Sequence, residues 1–221
     1  RVPAHPDLHR APETGLLAGA ARFRKDDPFA GGLAAGAMPG LSFSGFEEEK
    51  VLERLREFVF GFFREIAGTA GKEVWVEKTG VDAFHIEDIE RVCADKVRYV
   101  CIQRHGLDVA CSMEELSAKM RAYLSELHHF VIQHQSPLIA FAHAWVDANE
   151  RLLGLAERRP EQCVTLRYED LLDNPPAQLG RVFDFLGLEA DVEKVIESGM
   201  GGELGVGLGD WKTYADRTLR R

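Results

Sequence analysis

Val97-Arg98-Tyr99-Val100-Cys101-Ile102, followed by Gln103-Arg104-His105-Gly106, decides the fold. β-Branched and aromatic residues over this span read as a strand. Its apolar continuity, in place of strict alternation, is that of a strand covered on both faces, as in a parallel sheet. Val74-Trp75-Val76 and Cys163-Val164-Thr165-Leu166 are two further short strands. Helical patterns fill the intervals. Residues 47–68 set Val51, Leu52, Leu55, Val59, Phe62 and Phe63 at helical spacing behind an acidic start, Glu47–Glu49. Ile86 to Val92 read as a short helix, 114–134 and 137–158 as two longer ones, 175–187 and 190–199 as two short ones. The helix over 137–158 is apolar almost all round (Leu138, Ile139, Phe141, Trp145, Val146, Leu152, Leu153), which predicts burial. Strands alternating with helices predict an α/β fold with a central parallel sheet flanked by helices. Residues 1–46 read as irregular. Pro3, Pro6 and Pro12 keep the start extended. Residues 28–45 form a Gly/Ala/Pro-rich apolar loop, either a lid over a site or a surface loop anchored by its aromatics.

The chain has 221 residues, the size of a single domain over 1–221. Its 45% hydrophobic and 29% charged content excludes collagenous and disordered classes. No apolar run approaches the ~18–20 residues of a membrane span. The net charge of −9 argues against a generic nucleic-acid binder. Any anionic ligand must be held by a local basic cluster. Cys93, Cys101, Cys111 and Cys163 form no CxxC pair and read as reduced core residues of a cytoplasmic protein. His128, His129, His134 and His143 cluster without metal-ligand spacing and read as solvated or core-edge side chains, so no metal is expected.

Three segments lie just past strand ends, where α/β folds place their ligand sites. Glu77-Lys78-Thr79-Gly80 puts a cation and a hydroxyl at the first strand's mouth; taken alone it is equally a solvated turn. Arg104 leaves the second strand and Ser112 follows eight residues later. Guanidinium plus hydroxyl makes a phosphate clamp, and the alternative is a strand-end ion pair of Arg104 with Asp108. Arg167-Tyr168-Glu169-Asp170 follows the third strand. Its Tyr can meet an adenine, or it can be a core Tyr beside helix-capping acids.

Taken in order, these segments resemble the PAPS-dependent sulfotransferases, where PAPS is 3′-phosphoadenylyl sulfate. Lys78-Thr79, Arg104 with Ser112, Tyr168-Glu169-Asp170-Leu171, Asn174-Pro175, Phe185-Leu186-Gly187-Leu188 and Gly209-Asp210-Trp211-Lys212 all stand in the family's sequence order. The likeness covers about 74–212, and Ala4-His5-Pro6-Asp7 with Pro12-Glu13-Thr14 is similar to tyrosylprotein and bacterial sulfotransferases. The resemblance implies a P-loop-like sulfotransferase fold and sulfuryl transfer from PAPS to an acceptor hydroxyl, leaving PAP. It implies that Arg104 and Ser112 hold the 3′-phosphate and Tyr168 meets the adenine. Lys78 with Thr79 would approach the sulfuryl group, and Trp211 and Lys212 would complete the donor site. By the same match Glu13 is the catalytic base, with His85 as the competing base.

Some positions depart from the family pattern. The Gly/Ser/Thr-rich phosphosulfate loop is expected upstream of Arg1 and is not in the sequence. Gly80 stands where the cytosolic small-molecule enzymes carry a His base, and Leu204-Gly205-Val206 replaces an Arg-Lys-Gly. The stretches from Gln103-Arg104-His105 to Trp211-Lys212-Thr213-Tyr214 look most like bacterial enzymes of natural-product biosynthesis. The expected acceptor is a small-molecule or carrier-protein-bound hydroxyl, apolar in character, with no nucleic acid, membrane or metal involved. The rival readings are a P-loop-type nucleotide kinase and a non-catalytic nucleotide-binding or docking module. Strand ends bearing Arg104 and Arg167, where a kinase needs a Mg²⁺-binding Asp, argue against the kinase.

Overall fold

The computed structural model describes residues 5–10, 13–24 and 36–201. Described residues up to Val97 and from Glu189 onward form one compact unit, and Arg98–Leu188 form a second.

In the first unit, strand β1 (Leu8–Arg10) pairs in parallel with β2 (Val74–Val76), in the register Leu8↔Val74, His9↔Trp75, Arg10↔Val76. Helices α1 (Leu16–Arg24), α2 (Ala37–Phe43) and α3 (Glu48–Thr69) lie between the two strands in sequence. Helix α3 buries Val51, Leu52, Val59, Phe60, Phe63 and Ala67, one face of a 3.6-residue repeat. Trp75 of β2 packs on that face, with its ring 4.4 Å from Phe63 and 5.3 Å from Phe60. A 3₁₀ turn (Gly80–His85) leads into α4 (Ile86–Cys93), which contributes Ile86, Ile89, Val92 and Cys93 to the core. Helix α1 buries only alanines, Ala18, Ala20 and Ala21, so its backbone can approach α4 closely. Arg24 at its end bridges Asp88 and Glu48. That hydrogen bond from Arg24 holds the Glu48 carboxyl below its usual range. His5 is buried: its Nδ1 accepts the Asp7 N–H at 3.1 Å, so Nε2 carries the proton and donates to the Glu189 carbonyl at 3.0 Å. This bond ties the start of the chain to the stretch before α10 (Val192–Gly201).

In the second unit, β3 (Tyr99–Gln103) pairs in parallel with β4 (Cys163–Arg167), from Tyr99↔Cys163 to Gln103↔Arg167. Between them run α5 (Gly106–Met120), α6 (His128–Gln133) and α7 (Pro137–Arg158), and β4 feeds α8 (Tyr168–Asp173) and α9 (Pro175–Leu186). The core joins Cys101 and Leu166 of the strands to Ala140, Phe141 and Ala144 of α7 and to Leu179, Val182 and Phe183 of α9. Helix α9 is well framed: the Asn174 side chain accepts the Ala177 N–H at 3.2 Å, Pro175 opens the first turn, and Gly187 closes it at φ +71°. Asn174→Ala is expected to lower stability by about 1 kcal/mol. The check is a lowered denaturation midpoint at unchanged slope.

Several expectations need correction. The central sheet is, among the described residues, two separate two-stranded parallel sheets. Four strands are present there, and each spends its pairing on one neighbour. Helix 114–134 instead starts at Gly106 and stops at Met120, because Arg121 turns left-handed at φ +54°. The span read as irregular holds β1, α1 and α2, while 25–35 lies outside the described residues. Helix α7 is not buried all round. Ile139, Val146 and Leu153, seven residues apart, stay 42–53% exposed on a face of the helix that no described residue covers. Of the cysteines, Cys93 and Cys101 are core residues, Cys163 is half-buried and Cys111 is exposed on α5. Burial, with Cys163 beside it, pushes the Cys101 thiol up to about 12. No helix of the described residues is long and apolar enough to cross a membrane.

Candidate active site

Parallel pairing of β1 and β2 brings their chain exits to the same sheet edge. Glu13-Thr14-Gly15 follows β1, and Glu77-Lys78-Thr79 follows β2. The Lys78 ammonium donates to Glu13 Oε1. Glu13 is 22% exposed at its side chain and Lys78 66%. The Thr14 N–H donates to Glu77 Oε1 at 3.3 Å, the Gly15 N–H to Thr79 Oγ1 at 3.4 Å, and the Thr79 hydroxyl to Glu77 Oε1. Gly15 sits at φ +64°, a conformation that glycine adopts freely, just before α1 begins. The expected base and the expected cation are thus in contact, although 65 residues separate them in sequence. The competing base, His85, ends the 3₁₀ turn and is 8% exposed, so an acceptor would have to enter the core to reach its ring.

From this turn α1 runs to an apolar groove of about 260 Å³ between α1, α2 and α3. Phe23, Leu41, Phe46, Leu55 and Phe58 line it, and the Arg54 guanidinium lies 5.2 Å over the Phe46 ring.

In the second unit the register Gln103↔Arg167 makes Arg104 and Tyr168 the first residues past the paired strand ends. Their side chains meet, with the Arg104 guanidinium 4.9 Å from the Tyr168 ring centroid. Two braces fix this exit. Trp145 Nε1–H donates to the Arg104 carbonyl at 3.1 Å, and the His105 N–H donates to Glu169 Oε1 at 2.9 Å. That N–H is the main reason the Glu169 carboxyl sits below its usual range. The guanidinium N–H groups of Arg104 take no acceptor among the described residues, which leaves them available to an anion. Ser112 stands half-buried on α5, seven residues after the cap residue His105. That is two turns along the same helix face, roughly 10 Å up the axis. No hydrogen bond joins it to Arg104. Trp211 and Lys212 lie outside the described residues.

Trp145 also dictates Gly106. A Cβ there would stand 3.0 Å from Trp145 Cε3 and 3.1 Å from Cδ2. Gly106→Ala is expected to cost about 1–3 kcal/mol as overpacking, read as a lowered melting temperature. Gly180→Ala on α9, where a Cβ would meet nothing within 4 Å, is the control and should be neutral or stabilising.

Residues 4–192 match the sulfotransferase family. The chain belongs to that family. Sulfotransferases of this kind use PAPS as sulfuryl donor, which decides against the kinase reading. The solved structures agree in fold. A sulfotransferase domain from the curacin biosynthetic pathway aligns at TM-score 0.61 and 19% identity, over 94% of this chain and 74% of that one. A sulfotransferase domain from the Synechococcus PCC 7002 olefin synthase aligns at TM-score 0.55 and 21% identity, over 88% and 69% of the two chains. No curated protein matches the sequence significantly. Sequence reasoning missed the braces of this sulfotransferase. Glu77 and Trp145 act on partners 63 and 41 residues away, and no local spacing announces such contacts.

Proposed function

We propose that this sulfotransferase works as one domain and moves a sulfuryl group from PAPS to the hydroxyl of a small-molecule or carrier-protein-bound acceptor, with Glu13 as the base. The contact between Glu13 and Lys78 carries this reading, because it sets a proton acceptor beside a cation at the mouth of a parallel strand pair. PAPS supplies an activated sulfuryl group and a leaving phosphate. In-line transfer of such a planar group rests on positioning and on stabilising charge. Lys78 meets the sulfuryl oxygens and offsets the charge that builds on the leaving group. While Lys78 rests on Glu13 the carboxylate is neutralised. A sulfonate that draws the ammonium away leaves the carboxylate free to take the acceptor's proton. In the second unit, Arg104 and Ser112 take the 3′-phosphate and Tyr168 takes the adenine. An aromatic face beside a guanidinium with open N–H groups suits a phosphorylated nucleotide.

The acceptor is apolar in this reading. The groove at the end of α1 supports it, since α1 starts directly after the Glu13 turn. Relatives from a curacin pathway and an olefin synthase support an acceptor from natural-product biosynthesis. A chain of net charge −9 is poorly suited to polyanionic acceptors. The test is thermal stabilisation by PAP, ATP and AMP at equal concentration. Selective stabilisation by PAP is expected, and equal shifts from all three would remove the assigned 3′-phosphate site.

A further inference from the structure

We infer that Glu77 and Thr79 are positioning residues, which hold the Glu13 carboxylate in its working place; the inference rests on the reading of Glu13 as the base. The two amides that directly follow Glu13 are both tied to the exit of β2. Thr14 N–H goes to Glu77 Oε1 and Gly15 N–H to Thr79 Oγ1. The Thr79 hydroxyl proton goes to the same Glu77 oxygen, so the two side chains form one clamp. The Thr14 hydroxyl accepts the Leu16 N–H at 3.2 Å and continues the restraint into α1. The backbone beside Glu13 cannot slide along the sheet edge without breaking this set. Thr79 thereby changes role. The family likeness implies a donor contact, yet its hydroxyl is engaged on both sides by the clamp. Glu77 Oε2 is buried with no partner among the described residues. A buried unpaired carboxylate oxygen is costly, and such sites persist where function needs them. Displacing a reacting group by about 1 Å costs on the order of 10²-fold in rate. Two side chains that never touch the substrate can therefore control turnover.

The experiment uses the full chain with PAPS and water as acceptor, so no alcohol need be identified. The bond from sulfur to the PAP oxygen breaks and its electron pair stays on PAP, a bond from sulfur to the water oxygen forms, one water proton passes to Glu13, and the second leaves the resulting hydrogen sulfate for solvent. PAP and sulfate are the products. Thr79→Val, nearly isosteric, is expected to lower kcat by about 10–100-fold while KM for PAPS stays within about threefold. It should also speed amide hydrogen exchange at Gly15. Thr79→Ser restores the hydroxyl and should restore both readouts. Glu77→Ala should act likewise through Thr14, and Glu77→Gln, whose amide oxygen accepts both bonds, should recover most of the rate. Should Glu77→Ala fail to fold, the Thr79 pair decides alone. Wild-type kcat in Thr79→Val, a loss that Ser does not rescue, or unchanged exchange at Gly15 would overturn the inference. A raised KM at unchanged kcat would return Thr79 to a donor contact. Glu13→Gln in parallel separates the two failures. If it stays active, the base reading falls and takes this inference with it; if it is slow while both clamp variants are fast, the clamp alone falls.

Discussion

Arg104→Ala is expected to remove about half or more of the stabilisation that PAP gives the wild-type chain. A ligand at 100 times its dissociation constant stabilises by about 2.7 kcal/mol. A hydrogen bond to a charged group contributes about 1.5–3 kcal/mol, so its loss weakens binding by roughly 10–100-fold. At the same PAP concentration the residual stabilisation falls to about 0.5–1.5 kcal/mol, at the low end if both guanidinium bonds reach the phosphate. The unliganded protein should change little, since a half-buried guanidinium over an aromatic ring contributes on the order of 1 kcal/mol. Arg104→Lys keeps the charge and loses the planar fork, so it should fall between the two. Melting curves with and without PAP give the answer. An Arg104→Ala protein that keeps the full shift places the 3′-phosphate elsewhere.

Glu13→Gln is expected to lower turnover by about 10²–10⁴-fold, the usual contribution of a positioned general base. The amide has the shape of the carboxylate and can still meet Lys78, but it takes no proton. PAP binding should be intact, because the assigned phosphate and adenine contacts belong to Arg104, Ser112 and Tyr168. Global stability should change little, because Lys78 is 66% exposed and water screens such a pair. The measurement is the initial rate of PAP release together with the PAP melting shift. A fall in rate with the shift retained assigns Glu13 to chemistry. An unchanged rate eliminates it and leaves His85, whose buried ring would then need an opening of the 3₁₀ turn.

Much of this arrangement was legible in the residues. The apolar continuity of Tyr99–Gln103 marks a parallel strand, and Arg104 stands where it ends, but cover on both faces is not met among the described residues: within the strand only Cys101 is buried and Ile102 stays 48% exposed. Tyr168 holds the same place after β4, and their stacking follows from pairing the strands in step. The periodic face of α3 was largely plain, since Val51, Leu52, Val59 and Phe63 are all buried, but Phe62, read with them, is 45% exposed and Phe60 takes the core place. Helix α1 was hidden because it packs through alanines, which give a weak apolar signal, and β1 because three residues among prolines make no pattern. The left-handed Arg121 that ends α5 has no sequence signature of the kind a glycine would give. Glu13 came from family likeness alone. Nothing in its own neighbourhood marks it as a base, and its partner Lys78 is supplied by the sheet.

The lockstep of β3 and β4 has a practical corollary for anyone remodelling this protein. Each strand spans five residues, and side chains alternate between faces along it. Deleting a single residue from Cys163–Arg167 would reverse the direction of every later side chain and swing the Tyr168 ring off the guanidinium. Lengthening the surface connection between α5 and α6 by the same amount leaves that alignment alone. Changes in that connection therefore have wide latitude, whereas the ten strand positions behave as a fixed ruler.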